Sequence, residues 1–160
     1  MPSITLPLDD LDICLLNALQ DDADRPLHVL GEIVGLSTSA VQRRVQKYKA
    51  AGLLRTVALI APEKASRMVQ ALVLLTLAEE SLDHHDRLSA RLANHPAVQQ
   101  CFLLSGRWDY AVIVTAGSVP QLRDLGNQLF KADDNIRRYD TMFLLDAVKS
   151  GQIVPAELLV

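Results

Sequence analysis

Aromatic residues are scarce: one tryptophan, three tyrosines and three phenylalanines make up 4% of the chain. Any hydrophobic core must therefore be built from aliphatic side chains. The two cysteines, Cys14 and Cys101, both sit inside apolar runs, which excludes a disulfide-stapled scaffold and any Cys-x-x-Cys pair. No apolar run approaches the roughly 18 residues needed to cross a bilayer. The opening Met1-Pro2-Ser3 lacks the basic and apolar regions of a secretion signal, so the expected compartment is the cytoplasm. There is no Gly-rich phosphate loop and no Ser-centred elbow.

Catalysis needs a nucleophile, a base and a stabiliser that converge. Cys14 reads as lying on the buried side of a helix, and Cys101, in a strand, has no evident base partner. Asp83-His84-His85-Asp86 contains metal-ligand types, but adjacent helical histidines diverge by about 100°. A solvated helix start is the better reading of that run. The expectation is a protein that is not an enzyme, with no catalytic residues, no metal and no cofactor.

What is present is 49% hydrophobic and 22% charged residues over 160 positions, the balance of a folded chain of one or two domains. The net charge is −3, too negative for a protein that coats DNA over its whole surface. Its distribution is uneven, however. Between Gln42 and Arg55 stand Arg43, Arg44, Lys47, Lys49 and Arg55 with no acid among them. Upstream lie Asp9, Asp10, Asp12, Asp21, Asp22, Asp24 and Glu32. One basic strip on an acidic molecule suits contact with a polyanion through a single element; the plain alternative is a solvated helix face.

In the first sixty residues, Leu8, Leu11, Leu15, Leu16 and Leu19 share one helix face that Asp9 can cap. Leu27 to Val34 reads as a short helix with Leu30, Ile33 and Val34 inward. Gly35 supplies the left-handed exit, Leu36 plugs inward and Ser37 caps a third helix over Thr38 to Ala51. Val41, Val45 and Tyr48 form its buried face, and Gly52 stops it. Leu53 to Ile60 is β-rich, like a wing strand. Helix, tight Gly turn and capped helix make a helix-turn-helix. The exposed side of its second helix would carry Thr38, Ser39, Gln42, Arg43 and Gln46. Arginine can pair with guanine and glutamine with adenine, while Ser37, Thr38 and Ser39 near the helix start suit phosphate. Arg44, Lys47 and Arg55 would neutralise backbone charge.

Ala61 to Arg67 is a polar break. Beyond it the expected order is a strand from Val69 to Ala78, a helix opened by Ser81 or Asp83, strands over Val98 to Leu104 and Tyr110 to Thr115, a helix from Ser118, and a strand from Tyr139 to Val148. This β-α-β-β-α-β order is ferredoxin-like, so the fold class is α+β: a winged helix-turn-helix plus a ferredoxin-like domain of the RAM type. The domain boundaries follow as 1–60, a linker over 61–68, an effector and assembly domain over 69–150 and a tail over 151–160. Leu72-Val73-Leu74-Leu75, Val112-Ile113-Val114 and Met142-Phe143-Leu144-Leu145 are apolar at every position, which implies burial on both sheet faces. Helices cover only one face, so a second copy is expected to cover the other, and a two-fold dimer would match a roughly palindromic operator in double-stranded DNA.

Taken together these residues resemble the leucine-responsive regulator/asparagine regulator (Lrp/AsnC) family over nearly the whole chain. The resemblance rests on Leu8-Asp9, Asp12, Leu15-Leu16 and Leu19-Gln20; on Gly35-Leu36-Ser37 with Val41, Arg44-Val45 and Gly52-Leu53; and on Ser105-Gly106-Arg107-Trp108-Asp109-Tyr110 with Thr141. It implies a transcription regulator that dimerises, often into octamers, and binds a small effector, commonly an amino acid, near subunit contacts. The matching positions are Gly106, Arg107, Trp108 and Asp109 in the hairpin and Tyr139, Asp140 and Thr141 on the last strand. Asp109 suits an α-ammonium group, and Gly106 lets backbone amides approach a carboxylate. Arg107-Trp108 departs from the family's pattern, as do Gly31 and the Gln42/Gln46 pair. Arg107 would pair with an acidic effector or a neighbouring subunit. Two rival readings are a ligand-independent architectural DNA-binding protein and a stand-alone amino-acid-binding module.

Overall fold

The computed structural model describes residues 6–60, 64 and 67–160. Most of the polar break over 61–67 lies outside the described residues. Two compact units result, one of Met1–Leu59 with Ser150–Val160 and one of Ile60–Lys149.

The first unit holds helices α1 (Asp10–Asp21), α2 (Leu27–Val34) and α3 (Thr38–Ala50). Asp9 caps α1 in a reciprocal box: the Asp12 amide donates to Asp9 Oδ1 at 2.8 Å, and the Asp9 amide donates to Asp12 Oδ2 at 2.9 Å. Two otherwise orphaned amides are thereby satisfied. Leu15, Leu16, Leu19, Leu30, Val34, Val41 and Tyr48 form the core. Each such side chain contributes about 1.5–3 kcal/mol when fully buried. Three sequence expectations fail here. Leu11, Ile33 and Cys14 all face solvent, because the inward face of α1 runs through Asp12, Leu15, Leu16 and Leu19, and that of α2 through Leu30, Gly31 and Val34. The wing strand is also absent: residues 53–60 form no ladder. A strand requires a hydrogen-bonding neighbour, and among the described residues this unit holds no other strand.

Ala156 is buried in the same core. It lies in a 3-10 turn over Ala156–Leu159, so the tail over 151–160 groups with the helical unit. Gly35 leaves α2 at φ +70, the left-handed conformation that glycine adopts without strain. Gly31 has a different reason for lacking a side chain. A Cβ there would stand 2.5 Å from the Leu36 carbonyl oxygen. Gly31→Ala is therefore expected to push α2 away from the turn and cost roughly 1–3 kcal/mol, measurable as a lower urea midpoint.

In the second unit β1 (Val69–Leu77), β2 (Val98–Leu103), β3 (Tyr110–Ala116) and β4 (Ile136–Phe143) form one antiparallel sheet in the order β2-β3-β1-β4. Helices α4 (Leu82–Ala93) and α5 (Val119–Gly126) are capped by Ser81 and Ser118. After α5 a π-helical turn over Asn127–Lys131 adds a residue to the winding and buries both Leu129 and Phe130. Ala71, Val73, Leu75 and Leu77 of β1 alternate inward with Tyr110, Val112 and Val114 of β3, against Leu88, Leu92, Leu122 and Phe130. β4 starts three residues before the expected Tyr139 and ends at Phe143. Leu145 and Val148, placed in that strand by the sequence reading, are exposed.

The opposite sheet face carries Phe102 of β2, Ile113 of β3, Leu72 and Leu74 of β1 and Met142 of β4, as the register shows. Among the described residues, no helix of this unit packs on them. Phe102 remains 53% exposed and Met142 42%.

Candidate nucleic-acid interface and effector hairpin

Ser37 caps α3 by accepting from the Ala40 amide at 3.3 Å. At about 100° per residue, Val41, Val45 and Tyr48 then point to the core. Thr38, Ser39, Gln42, Arg43, Gln46 and Lys47 fall on one continuous outer arc, all of them exposed. No acid lies on this helix. Arg55, beyond the helix, is also exposed. Arg43 and Lys47 further line a cleft of about 580 Å³ shared with Pro7, Leu8, Asp9, Asp12 and Arg44.

Arg44 stands apart from this arc. Its guanidinium donates to both oxygens of Asp9, at 2.9 and 2.8 Å, and also to Asp12 Oδ1. The Tyr48 hydroxyl donates to that same Asp12 oxygen. Asp12 is only 2% exposed and Tyr48 is fully buried, so the group is a polar tie between α1 and α3. Arg44, expected to meet phosphate, has its donors facing inward onto two carboxylates. The hydrogen bond from Arg44 and that from the Asp12 amide hold the Asp9 carboxyl at about 2. Burial, and then Asp12, push the Tyr48 phenol above its ordinary value. Since Asp9 titrates lower in the folded state than in the unfolded chain, its stabilisation is complete above about pH 4 and is lost as pH falls towards 2. The urea midpoint followed by circular dichroism should fall as pH drops through that window, and Asp9→Asn should remove that part of the slope.

In the sheet unit, Ser105 to Asp109 form the β2–β3 hairpin as expected. Gly106 has φ +140 with open space where a Cβ would stand. Asp109 is tied in: its Oδ2 accepts from the Leu77 amide at 2.6 Å, its own amide donates to the Leu75 carbonyl at 2.9 Å, and its carbonyl accepts from the Leu104 amide at 2.8 Å. The last-strand residues do not act as a set, because successive strand residues point to opposite faces. Tyr139 lies opposite Leu75 on the helix-covered side, its ring 5.5 Å from Phe130, and Thr141 lies opposite Val73 on that same side. Asp140 is on the open side and receives Arg138, with Nε–Oδ1 at 3.1 Å and Nη2–Oδ2 at 2.7 Å. Arg138 in turn lies 5.0 Å from the Trp108 ring centroid, and Arg107 lies 5.5 Å from it. The structure therefore brings Arg107 and Arg138 together at the Trp108 ring, with Asp140 paired to Arg138, and sets Tyr139 and Thr141 apart. The sequence reading missed Arg138, although counting back two from Asp140 along the strand would have found it.

A helix-turn-helix with a free basic face, followed in the same chain by a βαββαβ sheet, is the architecture of a transcriptional regulator with a ligand-binding domain. The AsnC-type helix-turn-helix domain model matches residues 8–49, and the Lrp/AsnC ligand binding domain model matches residues 70–154. The chain belongs to the Lrp/AsnC family of DNA-binding transcriptional regulators. It is 32% identical to the HTH-type transcriptional regulator LrpA of Mycobacterium tuberculosis over 92% of this chain and 97% of that one. An HTH-type regulator of Sinorhizobium fredii is 30% identical over 96% of this chain and 91% of its own length. The crystal structure of a Neisseria meningitidis transcriptional regulator in complex with L-Met superposes with a TM-score of 0.86 at 25% identity, covering 96% of this chain and 100% of that one.

Proposed function

We propose that the protein is a cytoplasmic homodimer that reads a roughly palindromic DNA site with α3 and changes its DNA affinity or assembly when an amino acid binds. The observation that carries this reading is the outer arc of α3, where polar and basic groups are exposed together with no acid. Gln42, Arg43 and Gln46 are assigned to base edges, and Ser37, Thr38, Ser39, Lys47 and Arg55 to phosphates. Arg43→Ala should weaken a site enriched from a random duplex pool more than it weakens random DNA. Equal weakening of both would make Arg43 a phosphate contact instead.

Dimerisation is supported by the uncovered apolar sheet face, since a contiguous exposed patch of this kind marks an interaction surface. Sedimentation showing only monomer at micromolar concentration would remove that part of the reading. The amino-acid effector is supported by the hairpin around Gly106 and Asp109, and by the neighbouring Neisseria structure, which contains L-Met. Thermal unfolding against the common amino acids is the direct check. A ligand that prefers the folded form raises the midpoint through a free energy of RT ln(1 + [L]/Kd).

A further inference from the structure

The hairpin's electrostatics are specific to this chain. Trp108 is the sole tryptophan and has two guanidiniums against its ring, Arg107 at 5.5 Å and Arg138 at 5.0 Å. The electron-rich face of an indole attracts each cation, but gathering two like charges on one ring leaves them repelling each other. Only Arg138 has a carboxylate partner, Asp140. Among the described residues no ion pair neutralises Arg107. The adjacent Asp109 commits one oxygen to the Leu77 amide, and among the described residues no hydrogen bond occupies the other. The hairpin thus presents two guanidiniums with a single carboxylate between them, a net positive charge beside Asp109, with open space at Gly106.

We propose that the effector bound at this hairpin is an acidic amino acid, of the aspartate or glutamate class. Its ammonium group meets Asp109, and its side-chain carboxylate is held by Arg107 and Arg138 over Trp108. Guanidinium–carboxylate pairing is charge-assisted and can be two-pronged, and the acid supplies the charge that the arginine pair lacks. A neutral amino acid would leave Arg107 without a counter-charge, since Asp140 answers only Arg138. This inference rests on the reading of the hairpin as the effector site and adds the chemical class of its ligand.

The single tryptophan is its own reporter. Intrinsic emission of the full-length protein would be titrated with L-glutamate, L-aspartate, L-glutamine, L-asparagine, L-leucine, L-methionine and succinate at fixed ionic strength. The expected result is saturable change with glutamate or aspartate at least about tenfold tighter than with its amide, which corresponds to about 1.4 kcal/mol. Arg107→Gln and Arg138→Gln should each abolish that preference for acid over amide. Both positions are exposed at the surface, so neither variant should lose the fold; unchanged thermal midpoints without ligand would verify this. Saturation by leucine, methionine or an amide with no response to the acids would overturn the proposal and leave the amino-acid reading standing. Succinate binding as tightly as aspartate would overturn the assignment of the ammonium to Asp109. No response to any amino acid, in emission or in thermal midpoint, would overturn both the proposal and the reading beneath it.

Discussion

Asp12→Ala is expected to destabilise the helical unit by about 3–5 kcal/mol, the range measured when one partner of a buried ion pair is removed. Asp12 is the one buried charged residue among the described residues, and it receives both Arg44 and Tyr48. With alanine in its place, the Tyr48 hydroxyl is left buried without an acceptor, and Arg44 keeps only Asp9. A unit of this size has little stability to spare, so the loss should lower its unfolding midpoint by more than 10 °C, taking roughly 4–8 °C per kcal/mol. Hydrogen exchange would show the effect to be local: amides of α1 and α3 lose protection, and those of the sheet keep it. Tyr48→Phe should cost about 1 kcal/mol, the net value of one hydrogen bond. A midpoint for Asp12→Ala within 3 °C of the parent, on that same scale, would show that the tie contributes little.

The same tie separates two roles for Arg44 in DNA binding. A phosphate contact releases counterions, and its removal lowers the slope of log Kobs against log [salt] by about 0.9. An arginine that only holds α3 in place changes affinity with no change in slope. Arg44→Ala is expected to show the second pattern and Lys47→Ala the first.

Removal of residues 150–160 is the second large effect. Asn17 and Gln20 on α1 grip this segment with their side-chain amides. The Ala156 amide donates to Asn17 Oδ1 at 3.1 Å, the Val154 amide donates to Gln20 Oε1 at 2.9 Å, and Gln20 Nε2 donates back to the Val154 carbonyl at 2.8 Å. Ala156 is fully buried against the core of α1. Losing these bonds together with the buried surface should cost roughly 2–4 kcal/mol, read as a lower midpoint and weaker DNA binding. Retention of both would mean that α1 to α3 form a complete unit without the segment.

These two regions also show where the sequence was legible and where it was not. The helices and strands declared themselves through period and caps, because Leu15, Leu16 and Leu19, or Val112 and Val114, obey spacings set by local geometry. The caps at Asp9, Ser37, Ser81 and Ser118 are likewise local. What escaped is what depends on distant partners. Asp12 is buried because Arg44 and Tyr48, more than thirty residues on, satisfy it, so Cys14 was taken for the inward residue. The segment Ile153–Leu159 has no clear period and joins the core only because Asn17 and Gln20 receive its backbone. The β-rich run from Leu53 to Ile60 has strand composition but, among the described residues, no strand partner in its unit. At the hairpin, Gly106 and Asp109 were visible as turn residues. The convergence of Arg138 on Trp108 depends on the β1–β4 register, which no local pattern specifies.

The most direct test of the central claim is DNA affinity as a function of salt, measured by fluorescence anisotropy on a duplex enriched from a random pool. The account predicts that log Kobs falls linearly with log [salt]. It also predicts that Lys47→Ala and Arg55→Ala each flatten the line by about 0.9, and that Arg43→Ala reduces preference for the enriched duplex over random DNA. Binding that is absent at low salt, or whose slope is unmoved by both Lys47→Ala and Arg55→Ala, would contradict the assignment of DNA contact to the exposed arc of α3 and the residues flanking it.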